Sequence, residues 1–497
     1  MTSPRHPSFR PAGSGLAVAA ALSLLLAACA LPGPSPKPLP LTTPEAAGLA
    51  ADARSTETPA EWWQALGDPQ LDRLVGQALQ DSPSLAVARS RLGRAISLAE
   101  LTRSTSGVQA GLGLDATRQR YSENGLVPPP IAGGIYNSAT LQIGLQWEPD
   151  LFGKHDAELR AALGQTRASQ ADAAVARTAL AAQVSHVYLG LARLVAQREV
   201  AERTLAQRTE MLKLISDRVS AGLDTSVELR QGEGALPDAR TQIEALAEQI
   251  ALARHQLAAL TAQPIEALAT LQPSLAVLRS QQPPASLGAD LLGRRPDVVA
   301  ARWRVEAAGE DIKSARAAFY PNVNLSAFIG FSAIGLDKLI DVGSRQIGAG
   351  PAIRLPLFDA GRLRAQLNGR HADLDGAIAQ YNASVLDAVR EASDAIASLQ
   401  SIARQRTEQA AAQRSLESAY DLALQRYRAG IGGYLTVLNA ESQVLAQRRL
   451  GVDLQARLLD TQVSLMKSLG GGWQDSASPT TTVATSTATA ATLAAAR

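Results

Sequence analysis

Ala139-Thr140-Leu141-Gln142-Ile143-Gly144-Leu145-Gln146-Trp147 alternates apolar with polar or small residues without a slip. Residues two apart share one face of an extended chain. The run is therefore a strand with one apolar face and one face of Thr, Gln and Gly. Upstream, Val108, Ala110, Leu112, Leu114 and Ala116 alternate with Gln109, Gly111, Gly113, Asp115 and Thr117. Between the two runs stand Pro128-Pro129-Pro130 and Gly133-Gly134, the turn formers of a hairpin. Further on, Val323, Leu325, Ala327, Ile329 and Phe331 share a face, as do Ile347, Ala349, Pro351, Ile353, Leu355 and Leu357. A soluble core could cover the apolar faces. It would not explain opposite faces so rich in Gly, Gln and Asn, whereas a water-filled lumen does so directly. On this phase Leu112, Leu141, Ile143 and Ile329 face lipid, and Gln109, Gln142 and Asn324 face the lumen.

Long helices flank the strands. No proline occurs between Pro149 and Pro237, or between Pro356 and Pro479. Leu180, Val184, Val187, Leu191, Leu194, Ala201, Leu205, Leu212, Ile215 and Val219 fall on one heptad grid, interrupted by Arg198 and Arg208. Leu236, Ala239, Ile243, Leu246, Ile250, Ala253, Leu257 and Leu260 form a partner run. Sustained 3-4 spacing is a coiled-coil seam. From Lys154 to Ala221, and again from Arg362 to Ala429, a helix would run about 100 Å. Each ends at a glycine, Gly222 or Gly430, which suits a helix C-terminus. No globular domain needs helices of that length, so the structure spans a distance.

The chain is also duplicated. Pro83-Ser84-Leu85-Ala86-Val87-Ala88-Arg89 echoes Pro296-Asp297-Val298-Val299-Ala300-Ala301-Arg302. Asp150-Leu151-Phe152-Gly153-Lys154 echoes the run from Pro356 to Arg362, and Arg218-Val219-Ser220-Ala221-Gly222-Leu223 echoes Arg426-Tyr427-Arg428-Ala429-Gly430-Ile431. The order is the same each time. Each copy reads as a helix (about 70–105 and 288–318), a β-hairpin, then a long helical hairpin. The fold class is mainly α with membrane β.

Composition narrows the function. The 497 residues carry 48 Lys+Arg against 46 Asp+Glu, a net charge of +2, too balanced for a nucleic-acid binder. Hydrophobic residues make up 46%, which excludes a chain disordered throughout. One cysteine, Cys29, excludes an intrachain disulfide, a CxxC redox site and a multi-cysteine zinc site. The five histidines are scattered, and HExxH, GxSxG and GxxxxGK motifs are missing. No enzyme, metal or cofactor is therefore expected, and His186 reads as an interhelix or surface residue.

The N-terminus is an address. Arg5 and Arg10 precede an apolar stretch from Leu16 to Ala28, too short to span a bilayer comfortably. Leu26-Ala27-Ala28-Cys29 resembles the bacterial lipobox, which implies cleavage before Cys29 and acylation of that residue. Ala30 at the next position implies sorting to the outer membrane. Residues 1–28 are then a signal peptide and 29–59 a lipidated, flexible tether. The Ser/Thr/Ala-rich residues 474–497 form a disordered tail.

Trp62-Trp63, Asp68-Pro69 and Leu71 resemble the bacterial outer membrane efflux lipoproteins, the TolC-like outer membrane factors. So do Leu291-Leu292-Gly293-Arg294-Arg295-Pro296-Asp297, the run from Ala315 to Pro321, that from Leu355 to Arg362, Tyr427-Arg428-Ala429-Gly430 with 434–438, and Gly470-Gly471-Gly472-Trp473. The similarity covers roughly 29–473, with repeats at 60–265 and 288–473 joined by a linker at 266–287. It implies a homotrimer with a twelve-stranded outer membrane barrel and a periplasmic α-helical barrel. An inner membrane transporter would feed this duct through a periplasmic adaptor, a membrane fusion protein. Physics requires closure independently. Lipid cannot satisfy a sheet edge, and four strands cannot enclose an open lumen, so protomers must pool strands.

Two alternatives share some of these features: a periplasmic coiled-coil adaptor lipoprotein without a pore, and the outer membrane duct of a type I protein secretion system. An adaptor would not need four strands with polar inner faces. For a duct, the turns near 218–226 and 426–436 are the ends furthest from the strands. Arg218, Asp224, Arg426 and Tyr427 are the residues best placed to close them, through hydrogen bonds and ion pairs between protomers. Simple helix capping is the rival role, above all for Asp224. Gly222 and Gly430 end the helices, and Gly432 and Gly433 allow a sharp second turn. Relatives often carry an acid just after the second tip glycine. Here 430–434 has none, so closure leans on Arg and Tyr.

Overall fold

The computed structural model describes residues 34–49, 58–280, 288 and 290–474. The signal peptide, Cys29, part of the tether and the tail from 475 lie outside the described residues. The elements are α1 (Pro69–Asp81), α2 (Pro83–Thr105), β1 (Gln109–Arg120), β2 (Ile135–Trp147), α3 (Lys154–Ser220) and α4 (Ser226–Leu260). Then come α5 (Leu291–Arg294), α6 (Pro296–Ala317), β3 (Asn322–Ile334), β4 (Arg345–Arg354), α7 (Arg362–Arg428) and α8 (Tyr434–Ser468). Both long helices have 67 residues and both return helices 35. Helix pair, hairpin and long helical hairpin thus run twice through the chain.

Two helices expected to be continuous are broken. The stretch 70–105 divides between α1 and α2 at Ser82-Pro83, and 288–318 divides between α5 and α6 at Arg295-Pro296. The cause is the same in both. Proline restricts the preceding residue to extended backbone and occupies the first helical position, where its missing N–H costs nothing. Ser82 and Arg295 have ψ of 126° and 113°.

All four strands form one antiparallel sheet in the order β1-β2-β3-β4. The register puts Leu112, Ile143, Ile329 and Ile347 in one cross-strand row, and Ala110, Leu145, Ala327 and Ala349 in another. Gly113, Gln142, Gly330 and Gln346 make a row on the opposite face, where Gln346 donates to Gln142 at 3.3 Å. The expected alternation holds. β4, however, ends at Arg354, so Leu355 and Leu357 belong to the connection. β1 runs three residues past Thr117, to Arg120, and β2 starts at Ile135.

Carboxylates turn each strand into its helix. Asp150 accepts the Asp156 amide at 2.8 Å, and Asp359 accepts those of Gly361 at 3.0 Å and Leu363 at 2.9 Å. These satisfy donors that a helix start leaves open. Gly153 and Gly361 take φ of 74° and 87°, which makes the turn possible.

The main core lies halfway along the long helices. It joins Trp62, Trp63 and Leu66 to Leu71 and Val75 of α1, Val184, Tyr188 and Leu191 of α3, Ile250 and Leu257 of α4, and Leu459 of α8. Most of the expected heptad positions are buried or half-buried here. α3 also packs along α6, closely at Gly164, where an added Cβ would lie 3.0 Å from that of Ala307. Arg160 reaches Glu310 at 2.8 Å across the same contact, and Arg167 lies 4.4 Å over the Trp303 ring.

The two terminal motifs meet at this level. Arg295 is 6% exposed and binds Asp297 at 2.6 Å, Glu391 at 2.8 Å and the Ser468 carbonyl at 3.3 Å. Gly470 and Gly471 have φ of 95° and 58°. A Cβ on them would come within 2.1 Å of the Arg294 carbonyl and 2.3 Å of Thr178. The glycine run ending α8 is thus a close-packing device against the segment around Arg295.

The tether was expected to be flexible, and its described part is docked. The Leu39 amide donates to Asp375 at 3.0 Å, the Thr42 amide to Asn382 at 2.8 Å, and Leu49 is buried beside Leu291. The described part of the linker behaves likewise: Leu268, Leu275 and Leu278 are buried, and the Arg279 amide donates to the Leu66 carbonyl at 3.0 Å.

Candidate functional site

At the far end of the helices the two hairpin turns come together. Arg218, in the last turn of α3, donates through Nε to Asp224 at 2.9 Å and through its second nitrogen at 3.2 Å. The Tyr427 hydroxyl, from the last turn of α7, donates to the same carboxylate. The Arg218 guanidinium lies 4.6 Å over the Tyr427 ring. Three of the four expected gate residues are therefore one cluster. Its contacts join two hairpins within one chain, whereas contacts between protomers were expected.

Burial makes the cluster strong. Tyr427 is fully buried, and the side chains of Arg218 and Asp224 are each 11% exposed. Beneath them Ile215, Tyr427, Tyr434 and Val437 form a small apolar core. The Arg218 hydrogen bonds hold the Asp224 carboxyl below the ordinary carboxylate range, with help from Tyr427 and against the opposing effect of burial. Burial, then Asp224, pushes the Tyr427 hydroxyl up, so it stays a donor. Charge-assisted bonds of this kind are about twice as strong as neutral ones.

The capping reading of Asp224 does not hold. Thr225 caps α4, accepting from the Val227 amide at 3.2 Å, while Glu228 accepts the Thr225 amide at 3.0 Å in a capping box. Asp224 is left free to tie the tips together.

The second turn is built differently. Arg426 precedes Gly430 by four residues, as Arg218 precedes Gly222. Gly432 stands where the first turn has Asp224. Arg426 is exposed and makes no ion pair among the described residues. The sharp bend sits at Gly430, φ 76°, matching Gly222 at 71°, rather than at Gly432 or Gly433. Space is tight at Gly432, where a Cβ would lie 3.2 Å from that of Arg426. Gly433 caps α8 without a side chain and has open space around it.

One tie went unseen in the sequence. Arg208, an interruption of the heptad grid, reaches the Ala235 carbonyl at 3.1 Å, Asp238 at 3.5 Å and Glu441 at 3.3 Å. It joins α3, α4 and α8 just above the tip. Arg198, the other interruption, pairs among the described residues with Glu202, one turn along its own helix. His186 is interhelical, against Asp460 of α8.

At the opposite end lies the four-stranded sheet, with β1 and β4 as free edges within the chain, most of its apolar residues on one face, and Phe328 on the other in a row with Gly144 and Gly348. The family model for outer membrane efflux proteins matches residues 74–263 and 287–471, one stretch on each repeat. The chain is 34% identical over 444 residues to the multidrug resistance outer membrane protein MdtP of Shigella flexneri, covering 87% of this chain and 91% of that one. It is 32% identical over 423 residues to MdtQ of Escherichia coli O157:H7, covering 84% and 88%. Among solved structures, the outer membrane protein VceC of Vibrio cholerae superposes with a TM-score of 0.79 at 35% identity, over 84% of this chain and all of VceC. With its membrane sheet, its long helical hairpins and these relatives, the chain belongs to the outer membrane efflux protein family and is an outer membrane channel extending into the periplasm.

Proposed function

We propose that three copies pool twelve strands into one outer membrane barrel, with the apolar face toward lipid and the Gly/Gln/Asn face toward water. The long helices continue it as a periplasmic duct. The observation that carries this is the sheet: four strands, two unpaired edges and one continuous apolar face. Such a sheet is stable in lipid only when closed. The repeats 60–265 and 288–473 are the two structural units of each protomer. An adaptor and an inner membrane transporter deliver the cargo, which by analogy with the relatives' names comprises small toxic compounds.

Arg218, Asp224 and Tyr427 hold the periplasmic tip closed, and Gly222 and Gly430 shape its turns. Arg426, with Gly432 and Gly433 beside it, lines the rim. Cys29 carries the lipid, a secondary attachment beside the barrel. Light scattering in detergent and planar-bilayer recording test the assembly together: a mass of three chains and discrete pores are expected, and a monomer without conductance would overturn the reading. Mass spectrometry of the mature N-terminus should find an acylated Cys29, and Cys29→Ser should abolish that mass.

A further inference from the structure

The apolar face of the sheet carries cations at one end only. Arg118 shares its face with Ala110, Leu112, Leu114 and Ala116, and Arg345 shares its face with Ile347, Ala349 and Ile353. Both are exposed, and neither side chain has a hydrogen-bond or ion-pair partner among the described residues. At the helix-proximal end the same face carries Val108, Trp147, Val323 and Ile353, with no charge.

Arg118 and Arg345 each stand at the helix-distal end of their strand. Through Phe331 and Leu141, Arg345 shares a ladder row with Leu114, six residues before β1 ends at Arg120. At the inner end β4 overshoots β1. Gln109 pairs with Gln146, one residue before Trp147, which pairs with Leu325, three residues beyond Asn322, the partner of Arg354, so the overshoot is four rows. The strands are staggered by four to six residues across the sheet, as tilted barrel strands are. Along that stagger, Arg345 opens β4 and Arg118 lies two residues inside the end of β1.

We infer that Arg118 and Arg345 form a phosphate-binding rim on the outside of the barrel, taking the anionic headgroups of lipid in the outer leaflet. An arginine on a lipid face is costly at mid-depth and nearly free at the interface, so its place at the outer edge is permitted. Guanidinium groups suit phosphate oxygens through paired donors, and charge complementarity commits the site to phosphate-bearing lipid. The inner edge, with Trp147, is an uncharged aromatic anchor by contrast. The inference rests on the proposed assignment of the apolar face to lipid.

The test uses the full-length trimer in nonionic detergent. Binding of bis-phosphorylated lipid A, of the same lipid after phosphatase treatment, and of inorganic phosphate is measured for the native protein, R118Q/R345Q and R118K/R345K. The native protein should prefer the phosphorylated lipid. The glutamine variant should lose about fivefold per arginine, and the lysine variant, which keeps the charge but not the paired donors, should fall between it and the native protein. Equal binding of the two lipids by native protein, or unchanged binding by the glutamine variant, would overturn the rim. So would inorganic phosphate binding with the same dependence on the arginines, because it would mark a free-anion site. If the glutamine variant does not assemble, the two lipids on native protein still decide. Conductance in phosphatidylcholine bilayers, recorded in parallel, separates failure of the rim from failure of the barrel: a rimless barrel still conducts.

Discussion

Tyr427 and Asp224, 203 residues apart in sequence, share a buried hydrogen bond that joins the two hairpin tips of one protomer. The bond is charge-assisted, and Arg218 braces both partners, one by an ion pair and the other through its ring. In the duct proposed above, this bond ties the second hairpin to the first.

Tyr427→Phe keeps the ring under Arg218 and removes only the donor. A hydrogen bond to a charged group contributes about 1.5–3 kcal/mol, so the closed-to-open ratio should fall by roughly tenfold or more. Single-channel recording should show raised open probability with unchanged trimer yield. Arg426 makes no ion pair among the described residues, so Arg426→Ala tests whether it reaches a neighbouring protomer. Unchanged conductance in both variants would place the constriction elsewhere in the helical duct.

The same cluster sets a pH window. The folded-state pKa of Asp224 lies below its ordinary 3.8, chiefly through the Arg218 hydrogen bonds. Its contribution to closure is fully present above 3.8 and is lost as pH falls through the lower folded value. Conductance should be flat through neutral and mildly acidic pH and rise only below about 4. Asp224→Asn should conduct more at neutral pH and lose the acid-dependent rise. A native channel opening already near pH 6 would assign the titration to another group.

Glu441 and Arg208 make a second, deeper tie, with side chains 11% and 14% exposed. Burial pushes the Glu441 carboxyl up, and Arg208 opposes that shift. Arg208→Met strands the carboxylate and should cost about 3–5 kcal/mol, whereas Arg208→Met with Glu441→Leu should recover most of it. Thermal unfolding of the trimer reads both. The single variant's deficit should shrink as pH falls and Glu441 takes a proton.

Periodicity made the strands and long helices legible, since every second residue from Ala139 to Trp147 is apolar and so, save Arg198 and Arg208, is every third or fourth from Leu180 to Val219. It failed where function or punctuation interrupts it. Arg118 and Arg120 break the alternation, so periodicity alone ends at Thr117, three residues short of the end of β1. Pro83 and Pro296 are strong break signals, yet apolar residues continue across both. Arg218 and Asp224, six residues apart around a glycine turn, could be paired by position alone. No local pattern brings Tyr427 to Asp224, Arg208 to Glu441 or Gly470 to Arg294, because packing between distant helices makes those contacts.

The assignment of the sheet faces is tested by neighbouring residues on one strand. Leu141 sits in a row with Leu114 and Phe331, and Gln142 in the next with Gly113 and Gly330. A one-residue step changes the face and leaves strand, depth and local register the same. Leu141→Arg puts a guanidinium into lipid away from the outer rim and should cost about 2–4 kcal/mol, whereas Gln142→Arg puts it into the aqueous lumen at far less cost. Assembly yield and heat resistance of the trimer should fall for Leu141→Arg and hold for Gln142→Arg. Gln142→Arg should instead alter ion selectivity, because three new cations would line the pore. Equal assembly of the two variants would mean that the apolar face does not meet lipid. The reverse order would mean that the barrel is inside out relative to this phase.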